Sequence, residues 1–273
     1  MSDNIITIKN LNFYYPEKST VSKKWLKILD SINIEIPRNK IIGIVGKSGC
    51  GKTTLGKSIV NYFSLNQIIH KQEGSITYNN DNKMIDVFGK EYKNNKIPPI
   101  QMVFQDPRSA LNMKMTAYEQ LYEVIKRSHP FLKKNQINDK IIHLGKIFKI
   151  EYQLSSNPQN MSGGQRRRFG LSKIMALEPE IIIADEPVAS LDVSIKHDIM
   201  TTIFNLNKIK KMTLVIISHD IALLMKHADL ILVFDKGSIV EKWNPKNKPV
   251  HNETINLLED SNYVNEFIQN IKI

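Results

Sequence analysis

The stretch that constrains this chain most is residues 46–53, which read GKSGCGKT. They match the phosphate-binding loop pattern G-x-x-x-x-G-K-[ST] at every fixed position. Glycines at these positions let backbone N–H groups converge on a polyphosphate and permit the positive φ angles of a concave loop. Lys52 supplies charge for the β- and γ-phosphates, and the Thr53 hydroxyl is a ligand for Mg²⁺. The candidate nucleotide-binding residues here are Gly46, Lys47, Ser48, Gly49, Cys50, Gly51, Lys52, Thr53 and Thr54.

The residues on either side of the loop predict the strand and the helix that such a loop joins. Residues 40–45, KIIGIV, form a short apolar run that is typical of a buried strand. Residues 53–63 place apolar side chains at helical spacing. The N-terminus of this helix would point at the phosphates, where its dipole favours negative charge. The alternative is a glycine-rich turn without a ligand, and the ordered strand, loop and helix argue against it.

The composition is that of a globular chain. Its 273 residues suffice for one large or two modest domains. Hydrophobic residues make up 41% and charged residues 24%, a balance that excludes a disordered chain. Apolar runs are too short to cross a bilayer and no signal peptide is recognised, so a cytoplasmic chain is expected. The single cysteine, Cys50, excludes an internal disulfide and a cysteine-based metal site, and its position favours packing of the loop. The net charge of +11 is spread without an aromatic-interleaved stripe, so no nucleic-acid partner is expected.

Strands and helices alternate along the chain, as is typical of a mostly parallel sheet covered on both faces. Apolar or alternating patterns predict strands at residues 5–8, 32–36, 40–45, 73–78, 100–104, 181–184, 214–217, 230–234 and 238–241. Helical spacing predicts helices at residues 53–63, at 116–148 with a break near 129–130, at 161–177 and at 194–207. The long helical stretch before residue 181 indicates a helical insertion into the sheet-forming part.

Polar side chains directly follow three of the apolar strands, and ligands of parallel sheets bind beyond such strand ends. Asp185 is expected to reach an Mg²⁺ held by Thr53, and Glu186 to orient or deprotonate a water for in-line attack. The alternative is an acidic pair that only caps a strand. Gln105 offers a neutral amide to metal and water, and His219 an imidazole to the γ-phosphate.

A second candidate anion site is the sequence SGGQ at residues 162–165. A serine followed by two glycines at a helix start exposes backbone N–H groups to an anion, although an ordinary helix cap has the same pattern. The segment lies far along the chain from the phosphate loop. Two chains packed antiparallel would place each segment on the γ-phosphate of the other. The residues concerned are Ser162, Gly163, Gly164 and Gln165.

In their order along the chain, these motifs resemble the ATP-binding subunit of an ABC transporter. The resemblance covers about residues 5–260 and includes Ser190-Leu191-Asp192, which follows the acidic pair. Residues 103–112 (VFQDPRSALN) and 184–194 (ADEPVASLDVS) are similar to the subgroup that serves dipeptide, oligopeptide and nickel importers. Met161 replaces the leucine that usually opens the signature, which conserves volume.

The resemblance implies an α/β fold with a P-loop NTPase (RecA-like) core, an antiparallel β subdomain and an inserted α-helical subdomain at about residues 106–163. It implies an ATPase domain over residues 1–245 and a C-terminal extension over 246–273. It assigns Tyr15 to stack on adenine, with Tyr14 as the alternative. Asp192 would lie in the loop that couples two nucleotide sites, and Gln105 would join Thr53 and Asp185 as a metal ligand.

The resemblance also implies an activity and partners. The chain would be an ATPase that uses ATP and Mg²⁺ at a dimer interface to drive uptake of peptides or nickel-like metal complexes. Its partners would be a second ATPase subunit (a heterodimer is favoured, a homodimer possible), two membrane permease subunits and an extracytoplasmic solute-binding protein. It would sit peripherally on the cytoplasmic face of the membrane. Two alternatives stay open, a soluble ABC ATPase acting on nucleic acid or ribosomes and an ABC exporter ATPase.

Overall fold

The computed structural model describes residues 3–17, 24–80, 83–93, 98–104, 110–189 and 191–261. The chain divides into two units, which we call unit 1 (Met1–Lys96 with Thr213–Ile273) and unit 2 (Ile97–Met212). The phosphate loop, residues 46–53, belongs to unit 1. The SGGQ sequence at residues 162–165, called the signature segment below, belongs to unit 2.

Strands and helices alternate through both units, so the fold is α/β. The strands are β1 (Asn4–Pro16), β2 (Trp25–Pro37), β3 (Ile41–Gly46), β4 (Lys71–Asn80), β5 (Lys83–Asp86), β6 (Ile100–Val103), β7 (Ile181–Asp185), β8 (Thr213–Ile217), β9 (Leu230–Asp235) and β10 (Ser238–Trp243). The helices are α1 (Lys52–Ile59), α2 (Tyr62–Leu65), α3 (Lys90–Lys93), α4 (Ala117–Ser128), α5 (Lys134–Phe148), α6 (Gly163–Met175), α7 (Val193–Lys210), α8 (Ile221–Met225) and α9 (Asn252–Asp260).

One sheet of unit 1 is antiparallel and has the strand order β2-β1-β4-β5. Its first strand is longer than the sequence pattern predicts, because β1 continues through residues 11–16 instead of ending there. The extra residues pair with the start of β2, and Phe13 lies opposite Leu29. Irregular register along this pair accommodates the break in alternation that hides the strand in the sequence.

In the second sheet of unit 1, the strands run in the order β10-β9-β3-β8. The central strand β3 pairs in parallel with β8 and with β9, while β9 and β10 form the predicted antiparallel hairpin. Every residue of β3 and β8 is buried. Strands covered on both faces lose the polar alternation of half-exposed strands, which explains why they appear in the sequence as continuous apolar runs.

Unit 2 pairs β6 with β7 in parallel and carries helices α4 to α7. A capping box starts α4, in which Thr116 accepts from the backbone of Glu119 and the Glu119 side chain accepts from the backbone of Thr116. The break predicted near residues 129–130 is confirmed, since α4 ends at Ser128 and α5 begins at Lys134. None of the helices in the described part of the chain combines the length and apolar character needed to cross a bilayer.

The helix behind the phosphate loop is shorter than predicted. It ends at Ile59, and Asn61 adopts a left-handed conformation with φ of 56° before the short helix α2. Asparagine tolerates this conformation because its small polar side chain can bond locally. Here the buried Asn61 amide donates to the carbonyl of Val87 at 2.9 Å, a contact between distant segments that helical periodicity does not reveal.

Candidate nucleotide-binding site

The phosphate loop has the backbone that its glycines predict. Gly46, Gly49 and Gly51 have φ angles of 151°, 81° and 110°. A Cβ atom on Gly46 would lie 2.3 Å from the carbonyl oxygen of Phe234, and one on Gly51 would lie 3.0 Å from that of Ile28. The loop therefore needs glycine at both positions for the close approach of its own chain, in addition to the positive φ.

Lys52 places its ammonium group inside the curve of the loop. The residue is 8% exposed, and its Nζ donates to the carbonyls of Gly46 at 2.6 Å and Lys47 at 2.8 Å. These acceptors compensate for the burial of a positive charge. Thr53 follows in the first turn of α1, where it is exposed, while Thr54 behind it is buried. The loop thus concentrates a cation and a helix N-terminus, the combination that binds phosphate.

The remaining loop side chains play different parts. Cys50 is buried, and its carbonyl accepts from the N–H of Gly237 at 2.9 Å, in keeping with a packing role. Lys47 is exposed, but its Nζ lies 3.1 Å from a carboxylate oxygen of Glu253 on α9. Hydrogen bonding to Glu253 raises the pKa of Lys47 above its usual value.

The C-terminal segment that provides Glu253 is fixed to unit 1. Glu241 on β10 accepts from the N–H groups of Val250 and His251 and from the hydroxyl of Thr254, which is fully buried. The Nδ1 atom of His251 then caps α9 by accepting from the N–H of Glu253. This link to the loop cannot be recognised in the sequence, because charged residues on a short terminal helix give no signal of their partner.

The two candidate adenine-stacking tyrosines have different surroundings. Tyr15 packs edge-on against Phe13 and Phe63 with ring centroids 5.0 and 5.7 Å apart, and its side chain hydrogen-bonds Thr54 in α1. Partial burial raises the pKa of Tyr15. Tyr14 instead hydrogen-bonds Glu73 at 3.3 Å, and lysine ammonium groups lie over its ring. Of the two, Tyr15 is therefore in contact with the phosphate-loop helix.

His219 emerges beside the phosphate loop. In the parallel pairing of β3 with β8, Ile44 lies opposite Ile217, and the N–H of Ser218 donates to the carbonyl of Ile44 at 3.0 Å. Gly46 and His219 each follow this matched pair by two residues. Unit 1 therefore brings its predicted residues, namely the loop, Tyr15 and His219, to adjoining positions, and His219 is exposed there.

The acidic pair of unit 2 lies at the carboxyl end of β7. Asp185 is the last strand residue and is 3% exposed. Glu186 is half-buried and has a left-handed φ of 47°. Asp192 is exposed at the N-cap position of α7. Gln105 and Ser190 lie outside the described residues.

Arg167 on α6 is a residue that the sequence analysis missed. It is 3% exposed, and its guanidinium donates to the carbonyl of Phe104 at 2.7 Å and to the carbonyl of Glu186 at 2.8 Å. A signal was present in the spacing, since Gly164, Arg167 and Leu171 share the buried stripe of this helix. A charged residue on such a stripe indicates a polar partner in the interior.

The signature segment begins α6 with a closed capping box. Ser162 accepts from the N–H of Gln165 at 3.3 Å, and the Gln165 side chain accepts from the N–H of Ser162 at 2.8 Å. A Cβ atom on Gly163 would meet nothing within 4 Å, whereas one on Gly164 would lie 3.3 Å from the Ile195 side chain. Gly163 is exposed, so the helix N-terminus is open to an approaching group.

Comparison with known proteins identifies the family. The ABC transporter family matches residues 29–189. This chain belongs to the ABC transporter family. The oligopeptide transport ATP-binding protein OppF of Streptococcus pyogenes serotype M1 is 32% identical to this ABC cassette over 265 residues, 94% of this chain and 82% of that protein. OppF of Bacillus subtilis is 30% identical over 246 residues, 88% of this chain and 76% of that protein.

Solved structures confirm the predicted fold of the cassette. The cbiO1 protein of Clostridium perfringens, described as part of the ABC transporter complex cbiONQ, covers 99% of this chain with a TM-score of 0.72 and 26% identity. The chain matches 98% of that structure. The ATP-binding cassette MJ0796, solved as a dimer bound to ADP and Pi, covers 89% with a TM-score of 0.74 and 23% identity, and all of that chain is matched.

The fold is therefore that of a P-loop NTPase cassette with a β subdomain and a helical part. As an ABC cassette with an intact phosphate loop, the chain binds and hydrolyses ATP. In the described residues, no group of three or more His, Cys, Asp or Glu side chains is arranged to hold a metal ion. The metal site that the sequence predicts is of another kind, built from one hydroxyl and one carboxylate with an amide.

Proposed function

We propose that this chain is the ATP-hydrolysing subunit of an importer of oligopeptides. The observation that carries the proposal is its 32% identity over 94% of the chain to a protein named for oligopeptide transport. A second relative with the same name supports it at 30% identity. These names favour peptides over the nickel-like metal complexes that the subgroup resemblance also allows, and they favour transport over action on nucleic acid.

The nucleotide would lie along unit 1. Tyr15 would stack on adenine, and the concave loop with Lys52 would hold the triphosphate. The hydroxyl of Thr53, the carboxylate of Asp185 and the amide of Gln105 would hold Mg²⁺, and such hard oxygen ligands fit this ion. Bound there, Mg²⁺ would neutralise charge on the β- and γ-phosphates.

Glu186 and His219 would act on the attacking water and on the γ-phosphate. Glu186 would orient the water and accept its proton, and the imidazole of His219 would hydrogen-bond the γ-phosphate as negative charge redistributes. His219 is exposed beside the loop, which supports its proposed contact with the γ-phosphate. The position of Asp185 at the carboxyl end of β7, the edge of a parallel strand where ligands bind, supports its proposed role as a metal ligand.

The signature segment would complete the nucleotide site of a second ATPase subunit. Ser162, the two glycines and Gln165 would contact the γ-phosphate on that subunit, and Asp192 would lie in the loop that couples the two sites. The open space at Gly163 supports this arrangement. A heterodimer with a related subunit is favoured, and a homodimer satisfies the same geometry because every catalytic position is present in this chain.

The complete transporter would include two membrane permeases and an extracytoplasmic solute-binding protein, with this chain on the cytoplasmic face. We propose an ATPase domain over residues 1–245, with the helical subdomain inserted at about 106–163. Residues 246–273 would form a C-terminal extension. The anchoring of α9 by Glu241, and its contact with Lys47, suggest that the extension supports the phosphate loop.

Peptide uptake in cells that lack the gene tests the proposal. Uptake of a labelled tripeptide should be lost, restored by the native chain, and not restored by Glu186→Gln. The matched control is Glu259→Gln, which changes an exposed carboxylate on α9 and should restore uptake. Three results would contradict peptide import. Nickel uptake in the same strains would favour a metal importer, export from preloaded cells would favour an exporter, and salt-dependent RNA binding would favour a nucleic-acid ATPase.

A further inference from the structure

A single buried guanidinium joins three parts of unit 2. Arg167 lies on α6, two residues after the signature segment. Its Nη1 donates to the carbonyl of Phe104, which ends the described part of the β6 segment and directly precedes Gln105. Its Nη2 donates to the carbonyl of Glu186, directly after β7. The side chain therefore holds the backbone next to two of the residues predicted to act on the attacking water.

The backbone held at Glu186 is in an uncommon conformation. Its φ of 47° lies in the left-handed region, which residues with a Cβ atom adopt rarely and at an energetic cost. Such conformations persist where the surroundings determine them, and they cluster at functional sites. The carbonyl of Glu186 accepts two bonds, from Arg167 at 2.8 Å and from the N–H of Ala189 at 3.2 Å. Together these bonds fix the turn from which the Glu186 side chain projects.

We propose that Arg167 is a positioning residue for ATP hydrolysis, which sets the Glu186 turn and the backbone at Phe104 from the helix of the signature segment. The inference rests on the proposed role of Glu186 in hydrolysis. The bond to Glu186 connects the helix of the signature segment directly to the backbone of the proposed water-activating residue. The bonds of Arg167 to Phe104 and Glu186 go to backbone carbonyls, so its proposed role is to position the reacting groups.

The geometry explains why arginine is needed for this connection. Guanidinium presents several N–H donors in a rigid planar fork, so that one side chain reaches two carbonyls at fixed directions. Lysine keeps the charge but offers a compact ammonium on a flexible stem, and glutamine keeps an amide donor but is shorter and neutral. Neither is expected to hold both carbonyls at these distances.

The test compares Arg167→Lys and Arg167→Gln with the same changes at Arg127, an exposed arginine on α4. We expect kcat of the active assembly to fall about 10- to 100-fold in both Arg167 variants, because a small misplacement of a catalytic group has an effect of this size. The KM for ATP should stay within about threefold, since Arg167 is proposed to act on the hydrolysis step and not on ATP binding. The Arg127 variants should match the native chain.

A double-mutant cycle with Glu186→Gln distinguishes positioning from a general loss of activity. If Arg167 acts through Glu186, Arg167→Lys should slow the residual hydrolysis of Glu186→Gln by less than about twofold. Additive losses in the cycle would overturn the proposal. So would an unchanged kcat in Arg167→Lys, or loss of cooperative unfolding in both Arg167 variants, which would show that the guanidinium serves only the fold. Normal hydrolysis by Glu186→Gln alone would instead refute the proposed role of Glu186.

Discussion

The phosphate loop and the signature segment both contain glycines at the start of a helix, but the surroundings of these glycines differ. In the loop, a Cβ atom on Gly46 or Gly51 would press on backbone carbonyls of the same chain. In the signature segment, a Cβ atom on Gly163 would enter open space. The first set is explained by the fold of this chain alone. Gly163 has no such explanation, which is what we expect if it faces a group from outside the chain.

The same contrast appears in the polar groups. Lys52 directs its charge inward, onto carbonyls of its own loop. Ser162 and Gln165 close a capping box, so their side chains already satisfy helix-terminal N–H groups while Gly163 stays exposed. The loop is thus a preformed concave site with its own buried cation, and the signature segment is a capped helix N-terminus that stays exposed. Variants that separate ATP binding from ATP hydrolysis test whether this division is real.

The largest effect on ATP binding is expected at the loop lysine. Lys52→Ala should weaken ATP binding by the isolated chain about 30-fold, or about 2 kcal/mol, because hydrogen bonds to charged groups contribute this much each. Lys47→Ala should weaken it less, since the Lys47 ammonium is exposed and paired with Glu253. Titration with a fluorescent ATP analogue measures both. Equal losses for the two lysines would remove the distinction between a buried and a peripheral charge in the loop.

A pair of glycine substitutions compares the two regions directly. Gly46→Ala should destabilise the chain by about 2 kcal/mol or more, because it adds an atom where backbone already lies and forces an unfavourable φ. Gly163→Ala should leave stability unchanged or raise it by about 0.4–1 kcal/mol, as expected for Gly→Ala in a helix. Denaturant unfolding without nucleotide measures both changes.

The second half of this comparison is functional. Gly163→Ala should bind ATP as the native chain does but hydrolyse it about 10-fold more slowly, because the methyl group occupies the space proposed for the partner's phosphate. Gly145, a helical glycine of α5, offers a control in the same unit, since a Cβ atom there would meet Leu154 of this chain at 3.3 Å. Native hydrolysis by Gly163→Ala would show that its open space has no functional reason.

The smallest effect concerns adenine. Tyr15→Ala should weaken ATP binding about fivefold, or about 1 kcal/mol, the lower end for stacking of a base on an aromatic ring. Tyr15→Phe keeps the ring and loses only the bond to Thr54, so its affinity for ATP should stay within about twofold of the native value. Tyr14→Ala should bind ATP normally. A loss confined to Tyr14→Ala would reverse the assignment of the stacking residue.

Steric and hydrophobic constraints that are local in the sequence made much of the molecule predictable. Positive φ angles and close approaches need glycine, so the loop was identifiable from Gly46 and Gly51. Buried parallel strands need continuous apolar residues, so β3, β7 and β8 were predicted close to their observed bounds. The cap at Ser162 followed from a residue preference at helix starts. The α/β cassette fold was predicted correctly on these grounds together with the family resemblance.

Features that depend on distant partners were missed. The end of α1 rests on the bond from Asn61 to Val87, and the contact between Lys47 and Glu253 joins residues 206 positions apart. Arg167 is buried because two carbonyls from other segments receive its donors. No local pattern encodes these partners. At most, a charged residue on the apolar stripe of a helix indicates that it has a polar partner in the interior.

Ser162→Arg tests the central claim, that the signature segment serves the nucleotide of another subunit. A bulky cation at this cap should leave ATP binding by the isolated chain unchanged and suppress hydrolysis by the active assembly about 100-fold, an effect of the size seen when a preorganised charge-stabilising group is lost. The control is Tyr152→Arg, which places the same side chain at an exposed position of unit 2. Full hydrolysis by Ser162→Arg, or loss of ATP binding by the isolated chain, would contradict the account.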